Sequence, residues 1–240
     1  MHACTPLPGP WPGLRLWQVD LDQALPAGRL ACLSVQERER AARFAFEHDR
    51  ERYLRAHAAL HALLAAAGAP AGPSGTVALD TGPWGKPSVR DARGLHFNLS
   101  HSAALAVVAL SDGAEIGVDV EIVRPIPDAP QLAQAHFSDG EQAALRDLPA
   151  DHRDLAFLRC WTRKEAVVKA LGIGIGLDLR ALDVGIGGAA ARVQAWPSPD
   201  EQAELDLVSF ALPQGAVVSI ARKVHRAPVG RPVAQEEATA

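Results

Sequence analysis

Ser138-Asp139-Gly140-Glu141, with a helical stretch from about Asp151 to Leu171 behind it, repeats a pattern written earlier in the chain. The first copy is Ser34-Val35-Gln36-Glu37, with a helical stretch from about Glu47 to Ala67. In each tetrapeptide the serine hydroxyl accepts from the amide three residues on, and the glutamate bonds back to the serine amide. Each therefore starts a short helix. The first long helix stops before Gly68 and Pro70, residues that end helices. Strand-like runs surround both helix pairs: 14–20, 76–80, 95–99, 104–110 and 116–121 in the first half and just beyond it. In the second half they are 179–184, 191–196, 205–210 and 217–223. Asp112-Gly113 reads as a hairpin-type turn before the 116–121 run. Ser100-His101 falls between two strands.

This repetition predicts an α+β fold of two similar lobes in a pseudo-two-fold arrangement, with the active site in the cleft between them. The N-terminal lobe is read over 14–112 and the C-terminal lobe over 113–225. Residues 1–13 and 226–240 are read as a flexible N-terminus and tail, because both are rich in Pro, Gly or polar residues. One continuous α+β domain is the alternative.

Bulk properties narrow the function classes. The net charge of −4 gives no general attraction to nucleic acid or an anionic membrane, so neither is expected as a partner. No apolar run is long enough to span a bilayer. The start of the chain lacks a basic segment followed by an apolar one. The three cysteines, Cys4, Cys32 and Cys160, are odd in number and lack metal-ligand spacing, which suits a reducing cytosol. A cytoplasmic location is expected.

The chemistry concentrates in Trp161-Thr162-Arg163-Lys164-Glu165-Ala166-Val167-Val168-Lys169. On a helix, Trp161, Glu165 and Lys169 share one face. In Gly117-Val118-Asp119-Val120-Glu121, a strand sends Asp119 and Glu121 to one side and the valines to the other. Three carboxylates beside a lysine can hold a hard divalent cation against a phosphate. Only four of the 24 Lys+Arg residues are lysines: Lys86, Lys164, Lys169 and Lys223. Where lysine persists against such an arginine bias, a compact ammonium is the more telling choice. The competing readings are an ordinary wet strand face and an exposed helix ion pair, the latter worth only about 0.3–0.5 kcal/mol.

Gly85-Lys86-Pro87, Phe97-Asn98-Leu99-Ser100-His101-Ser102, Gly117-Val118-Asp119-Val120-Glu121 and Trp161-x-x-Lys164-Glu165-Ala166-x-x-Lys169 occur in that order. Together they resemble the 4′-phosphopantetheinyl transferases, in particular the two-lobed, monomeric, Sfp-type branch, over about 34–223. The resemblance implies an enzyme that moves the 4′-phosphopantetheine arm of coenzyme A onto a serine of an acyl or peptidyl carrier protein. It implies a need for Mg2+, release of 3′,5′-ADP, and a place in secondary metabolism. It assigns Asp119, Glu121 and Glu165 to the metal, with Glu165 also a candidate base, and makes Glu165, Lys169 and Asp119 the catalytic set. It places Arg40, Arg52, Lys86, Pro87, Ser100, His101, Lys164 and Lys169 around coenzyme A. One departure from the family pattern is Glu37, where relatives often carry a basic residue. A non-catalytic module that binds coenzyme A or a carrier is the alternative.

Other patterns carry less. Ser100, His101 and Asp119 lack the strand-turn-helix elbow of a hydrolase. Gly172-Ile173-Gly174-Ile175-Gly176 follows a helix rather than a strand, against a dinucleotide loop. Its apolar residues, with Leu177, are read as a carrier-docking segment, an ordinary connection being the alternative. His57 and His61 share a helix face but have no evident third ligand for zinc.

Overall fold

A computed structural model describes residues 4–224 apart from 27, 93 and 199–201. The proposed tail at 226–240 lies outside the described residues. Strand β1 (Cys4–Leu7) pairs antiparallel with β2 (Leu14–Asp20), so residues 4–7 are an edge strand rather than a loose N-terminus. The alternating pattern of β2 leaves its other edge for a further strand. Helices α1 (Val35–Ala41) and α2 (Glu47–Ala66) follow. A small pair, β3 (Leu79–Thr81) and β4 (Pro87–Val89), leads to the hairpin β5 (Leu95–Ser102) and β6 (Leu105–Asp112). The second half opens with β7 (Ile116–Ile122). Helices α3 (Ala129–His136), α4 (Asp139–Asp147) and α5 (Ala150–Leu171) come next. The chain then forms β8 (Ala190–Ala191) and the hairpin β9 (Leu205–Leu212) and β10 (Ala216–Lys223).

The two main sheets run β1-β2-β6-β5 and β7-β10-β9-β8. In both, the opening strand pairs with the last strand of the closing hairpin, so β2-β6-β5 matches β7-β10-β9. The repetition expected from the two capping boxes is therefore present in the topology. Both boxes form as expected, with Ser34 and Ser138 as N-caps. Two local expectations fail. Asp112-Gly113 is no hairpin, because β7 takes its ladder from β10 and lies in the other sheet. Strand β5 runs on through Ser100 and His101, and its turn falls at Ala103, whose φ of 50° is left-handed.

The sheets pack in layers. Leu16, Val107 and Ala109 from one sheet meet Val118, Val120, Val218 and Ile220 from the other. The opposite face of the first sheet packs on α2, through Ala106, Val108 and Leu110 against Ala56, Leu60 and Leu64. Strand β6 is thus covered on both faces, which explains its unbroken apolar run. Each such fully buried Val or Leu contributes about 1.5–3 kcal/mol. The second sheet is covered by α5, whose Val167 and Ala170 share a core with Val217 and Ala221.

Helix α5 lies directly on β7. A Cβ at Gly117 would run into the Ala166 carbonyl oxygen and the Ala170 amide nitrogen, and would lie 2.9 Å from the Lys169 carbonyl carbon. Glycine is required here by close approach of backbone. Polar contacts fix the helix further along: Thr162 Oγ1 lies 2.8 Å from Ser219 Oγ, which lies 2.9 Å from Ser209 Oγ.

The two capping glutamates have a second task. Glu37 Oε1 bonds His57 Nδ1 at 2.8 Å and Glu37 Oε2 bonds His61 Nε2 at 3.0 Å, both on α2. His61 Nδ1 accepts from the Val77 amide at 3.1 Å, so its proton sits on Nε2 and points at Glu37. The pair of histidines that had no third ligand therefore has a buried carboxylate as its partner. Glu37, the departure from the family pattern, is a structural residue facing inward. Glu141 repeats the arrangement: it accepts from the Val184 amide at 2.8 Å and pairs with Lys164 of α5 at 2.7 Å. His61 and Lys164 stand at matching helix positions, each fourteen residues past its helix start (Glu47 to His61, Ala150 to Lys164).

The segment 179–184, expected as a strand, has a single bridge from Asp183 to Ala195. Side chains of α5 take its backbone groups instead. Lys164 donates to the Leu179 carbonyl at 2.7 Å and to the Leu182 carbonyl. Just beyond, Arg163 donates to the carbonyls of Gly185, Gly187 and Gly188. Burial lowers the Arg163 pKa to about 10.

Two outcomes follow from these contacts. Gly117→Ala should cost at least about 1–3 kcal/mol, the usual penalty of overpacking, and denaturant unfolding measures it; unchanged stability would mean α5 does not rest on this residue. Burial alone would raise the Glu37 pKa, but bonds from His57, His61 and Ser34 outweigh it and hold the carboxyl well below its ordinary 4.5. A depressed carboxyl stabilises the fold above its unfolded value and loses that contribution as the pH falls below it. The stability gap between wild type and Glu37→Gln should therefore shrink as the pH drops from neutral to below 4.5; a gap independent of pH would contradict this.

Candidate active site

Because Gly117 lets α5 down onto β7, the next outward residues of that strand, Asp119 and Glu121, face the helix. Lys169 Nζ donates to Asp119 Oδ1 at 2.6 Å and to the Val118 carbonyl at 3.3 Å. Ser100 Oγ donates to the same Asp119 oxygen at 2.7 Å. Glu121 Oε2 accepts from Ser102 Oγ at 2.7 Å and from Arg124 at 3.1 Å. Glu165, one turn before Lys169, takes no hydrogen bond from a described residue. Lys169 and Glu165 both line a cavity of about 680 Å³.

That cavity is walled by both halves of the chain. Arg40, Lys86, Pro87 and Asn98 come from the first, and His136, Glu165, Lys169 and Leu177 from the second. Trp84, exposed at 62%, stands at its rim. Such a space between lobes, with few convergent polar groups, is the usual form of a ligand site.

The carboxylates strain against one another electrically. Burial pushes the Asp119 pKa up, and Lys169 and Ser100 only partly offset it. Burial also raises Glu165, and the charges of Asp119 and Glu121 add to the rise while Lys169 opposes it. Two carboxyls whose charge is disfavoured, with Glu121 close by, suit a hard cation. As the side chains stand, Lys169 occupies Asp119, and among the described residues no three acidic, His or Cys side chains converge as a metal site.

The remaining expected residues divide. Arg40 lines the cavity and lies 5.7 Å over the Tyr53 ring. Lys86 lines it too, yet its ammonium pairs with Glu115 and donates to the Ala170 carbonyl at 3.2 Å. His96 and Lys86 together hold the Glu115 pKa down to about 2. His101 is exposed near the end of β5, on the opposite strand face from Ser100, so no Ser-His-Asp triad forms.

One assignment is displaced, and one residue is already paired. Arg52 forms a two-pronged pair with Asp22, at 2.8 and 3.1 Å, and is absent from the cavity wall. Lys164 is fully buried on Glu141 and two loop carbonyls, so it cannot meet a ligand in the cleft. One residue after Glu165 in the reverse direction, it lies on a different helix face, which the run of sequence conceals. The docking segment changes as well. Leu177 is buried at 5% and Ile173 packs against the same core, while the Ile175 side chain lies outside the described residues.

Sequence reasoning left Asn98 and Ser102 without a role. Asn98 Oδ1 accepts from the Val118 amide at 2.8 Å, and Ser102 Oγ accepts from the Ile122 amide at 3.2 Å. The signal was present, since Asn98, Ser100 and Ser102 alternate and so share a strand face. Breaking the strand at Ser100 hid it.

Comparison with known proteins gives the family. The family described as the 4′-phosphopantetheinyl transferase superfamily matches residues 115–219, and the one described as 4′-phosphopantetheinyl transferase, N-terminal, matches residues 17–112. The chain is 39% identical over 169 residues to 4′-phosphopantetheinyl transferase HetI of Nostoc sp., covering 68% of this chain and 70% of that one. It is 32% identical over 183 residues to 4′-phosphopantetheinyl transferase psf-1 of Bacillus pumilus, covering 75% and 74%. With 4′-phosphopantetheinyl transferase AcpT of Escherichia coli K12 it shares 44% identity over 91 residues, 38% of this chain and 47% of that one. The carboxylates gathered around Lys169 beside a two-lobed cleft thus stand in a chain that belongs to the 4′-phosphopantetheinyl transferase superfamily, and it is an enzyme of that kind.

Proposed function

We propose that the enzyme takes the phosphopantetheinyl group from coenzyme A, with Mg2+, and places it on a serine of an acyl or peptidyl carrier protein. The observation that carries this reading is that Glu165 and Lys169 line the interlobe cavity while Lys169 is bonded to the buried Asp119 behind its wall. The transferred group is a phosphoryl ester, and such transfers need positioning and charge neutralisation more than covalent help. The serine hydroxyl attacks the phosphorus that bears pantetheine, and the bond from that phosphorus to the oxygen of the departing 3′,5′-ADP breaks. Glu165 takes the serine proton; its raised pKa and its lack of a hydrogen-bond partner among the described residues suit a base. Lys169 sits where its charge can neutralise the leaving oxygen.

Asp119, Glu121 and Glu165 are the residues that would hold Mg2+, and the ion would offset diphosphate charge. Arg40, Arg52, Lys86, Pro87, Ser100 and His101 remain the proposed surroundings of coenzyme A. Arg40 and Pro87 contribute from the cavity wall, and Lys86 contributes through the turn that its pair with Glu115 fixes. Among the described residues no helix is long and apolar enough to cross a membrane. Work as a monomer in the cytoplasm, in secondary metabolism, is part of the same proposal, supported by two lobes that complete the cleft within one chain.

Incubation of the protein with coenzyme A, Mg2+ and an apo-carrier, followed by weighing the carrier, tests the reaction. Addition of the phosphopantetheinyl mass that stops with chelator is expected. No mass change across a panel of carriers would refute it. Asp119→Asn should lose transfer while remaining folded, and near-wild-type activity would remove Asp119 from the site. Lys169→Arg should lose about 100-fold or more in turnover, as for other preorganised charges. A planar guanidinium does not fit the pocket formed by Asp119, Ser100 and the Val118 carbonyl. Full turnover in that variant would show that any cation serves.

A further inference from the structure

Strands β5 and β7 are edge strands of different sheets, and no backbone ladder joins them. An unpaired edge leaves amides that must be satisfied. Here alternate side chains of β5 take two of these amides and two carboxylates of β7. Asn98 Oδ1 accepts from the Val118 amide at 2.8 Å. Ser100 Oγ donates to Asp119 Oδ1 at 2.7 Å. Ser102 Oγ accepts from the Ile122 amide at 3.2 Å and donates to Glu121 Oε2 at 2.7 Å. Three residues of one strand face therefore bind three successive places on the other lobe.

Ser102 differs from the other two. A serine hydroxyl has one proton and two acceptor sites. The Ile122 amide occupies an acceptor site and turns the proton onto Glu121. One Glu121 oxygen is thereby committed to the protein, while Oε1 has no hydrogen bond from a described residue. Asp119 is arranged alike, with Oδ1 held by Ser100 and Lys169 and Oδ2 left without a bond from a described residue. Each carboxylate is locked by one oxygen and offers the other.

We infer that Ser102 is a positioning residue: it orients Glu121 so that the free oxygen faces the site, and it ties this orientation to the closure of the two lobes. The inference rests on the proposed assignment of Asp119 and Glu121 to a divalent cation. Partners that orient a metal ligand from behind usually matter about 10- to 100-fold in metal affinity.

Mn2+ can serve as the probe, because the resonance of the free ion disappears on binding. The purified full chain is titrated with Mn2+ in the presence of coenzyme A and without carrier, so no turnover is involved. Ser102→Ala should bind Mn2+ about 10- to 100-fold more weakly and melt lower, since the Ile122 amide loses its acceptor, whereas Ser102→Thr should recover both the affinity and the melting temperature. Wild-type affinity in Ser102→Ala would overturn the positioning role while leaving the metal assignment intact. So would a threonine variant that recovers melting temperature but not affinity, since that marks a seam residue only. A wild-type protein that takes up no Mn2+ would sink the metal assignment, and the role of Ser102 with it.

Discussion

Contact between the α5 backbone and Gly117 governs the geometry of the site. With no side chain at that position, the helix rests on β7 itself, and its Ala166 to Ala170 stretch sits over the strand. The next outward residues of β7 are then Asp119 and Glu121, and the next inward turn of α5 carries Glu165 and Lys169. A methyl group at Gly117 would hold the helix away from the strand and open the 2.6 Å pair between Lys169 and Asp119. The buried Thr162, Ser219 and Ser209 hydroxyls secure the same helix from below, where an apolar contact alone would permit sliding.

The two halves show one design put to two uses. Each begins a helix with Ser-x-x-Glu and buries that glutamate against a residue of its long helix. In the first half the partners are His57 and His61, and His61 passes the bond to the Val77 amide. In the second the partner is Lys164, which gathers the Leu179 and Leu182 carbonyls. A neutral imidazole can accept and donate in one place, whereas an ammonium only donates. The first lobe therefore holds an amide and the second holds carbonyls. The chemistry sits in the second half, on the helix face beside Lys164, while the equivalent positions of α2 are Ala62 and Ala66, which carry no reactive group.

The seam between lobes is equally specific. Strand β5 meets β7 through side chains, so the relative placement of the lobes is set by three short polar groups rather than by a sheet ladder. Two of these groups end on Asp119 and Glu121, so the contacts that join the lobes also hold the carboxylates. Buried polar contacts of this kind are costly when incomplete, which favours one arrangement of the lobes over many.

Much of this was written locally. The capping boxes, the alternation in 116–121 and the i, i+4 spacing of Glu165 and Lys169 depend on near neighbours in the chain, and each was legible as such. The family followed from four motifs in order. What the sequence could not reveal was which of several equally charged residues would meet. Lys164 and Lys169 stand in one motif, yet helical rotation sends the first into the core and the second into the cleft. Arg40 and Arg52 looked equivalent, and only the position of Asp22, thirty residues before Arg52, shows that the latter is already paired. Periodicity determines the faces of a helix or strand by itself, because those faces are fixed by backbone geometry. Which face meets which partner is decided by long-range packing, and here by the absence of a side chain at Gly117.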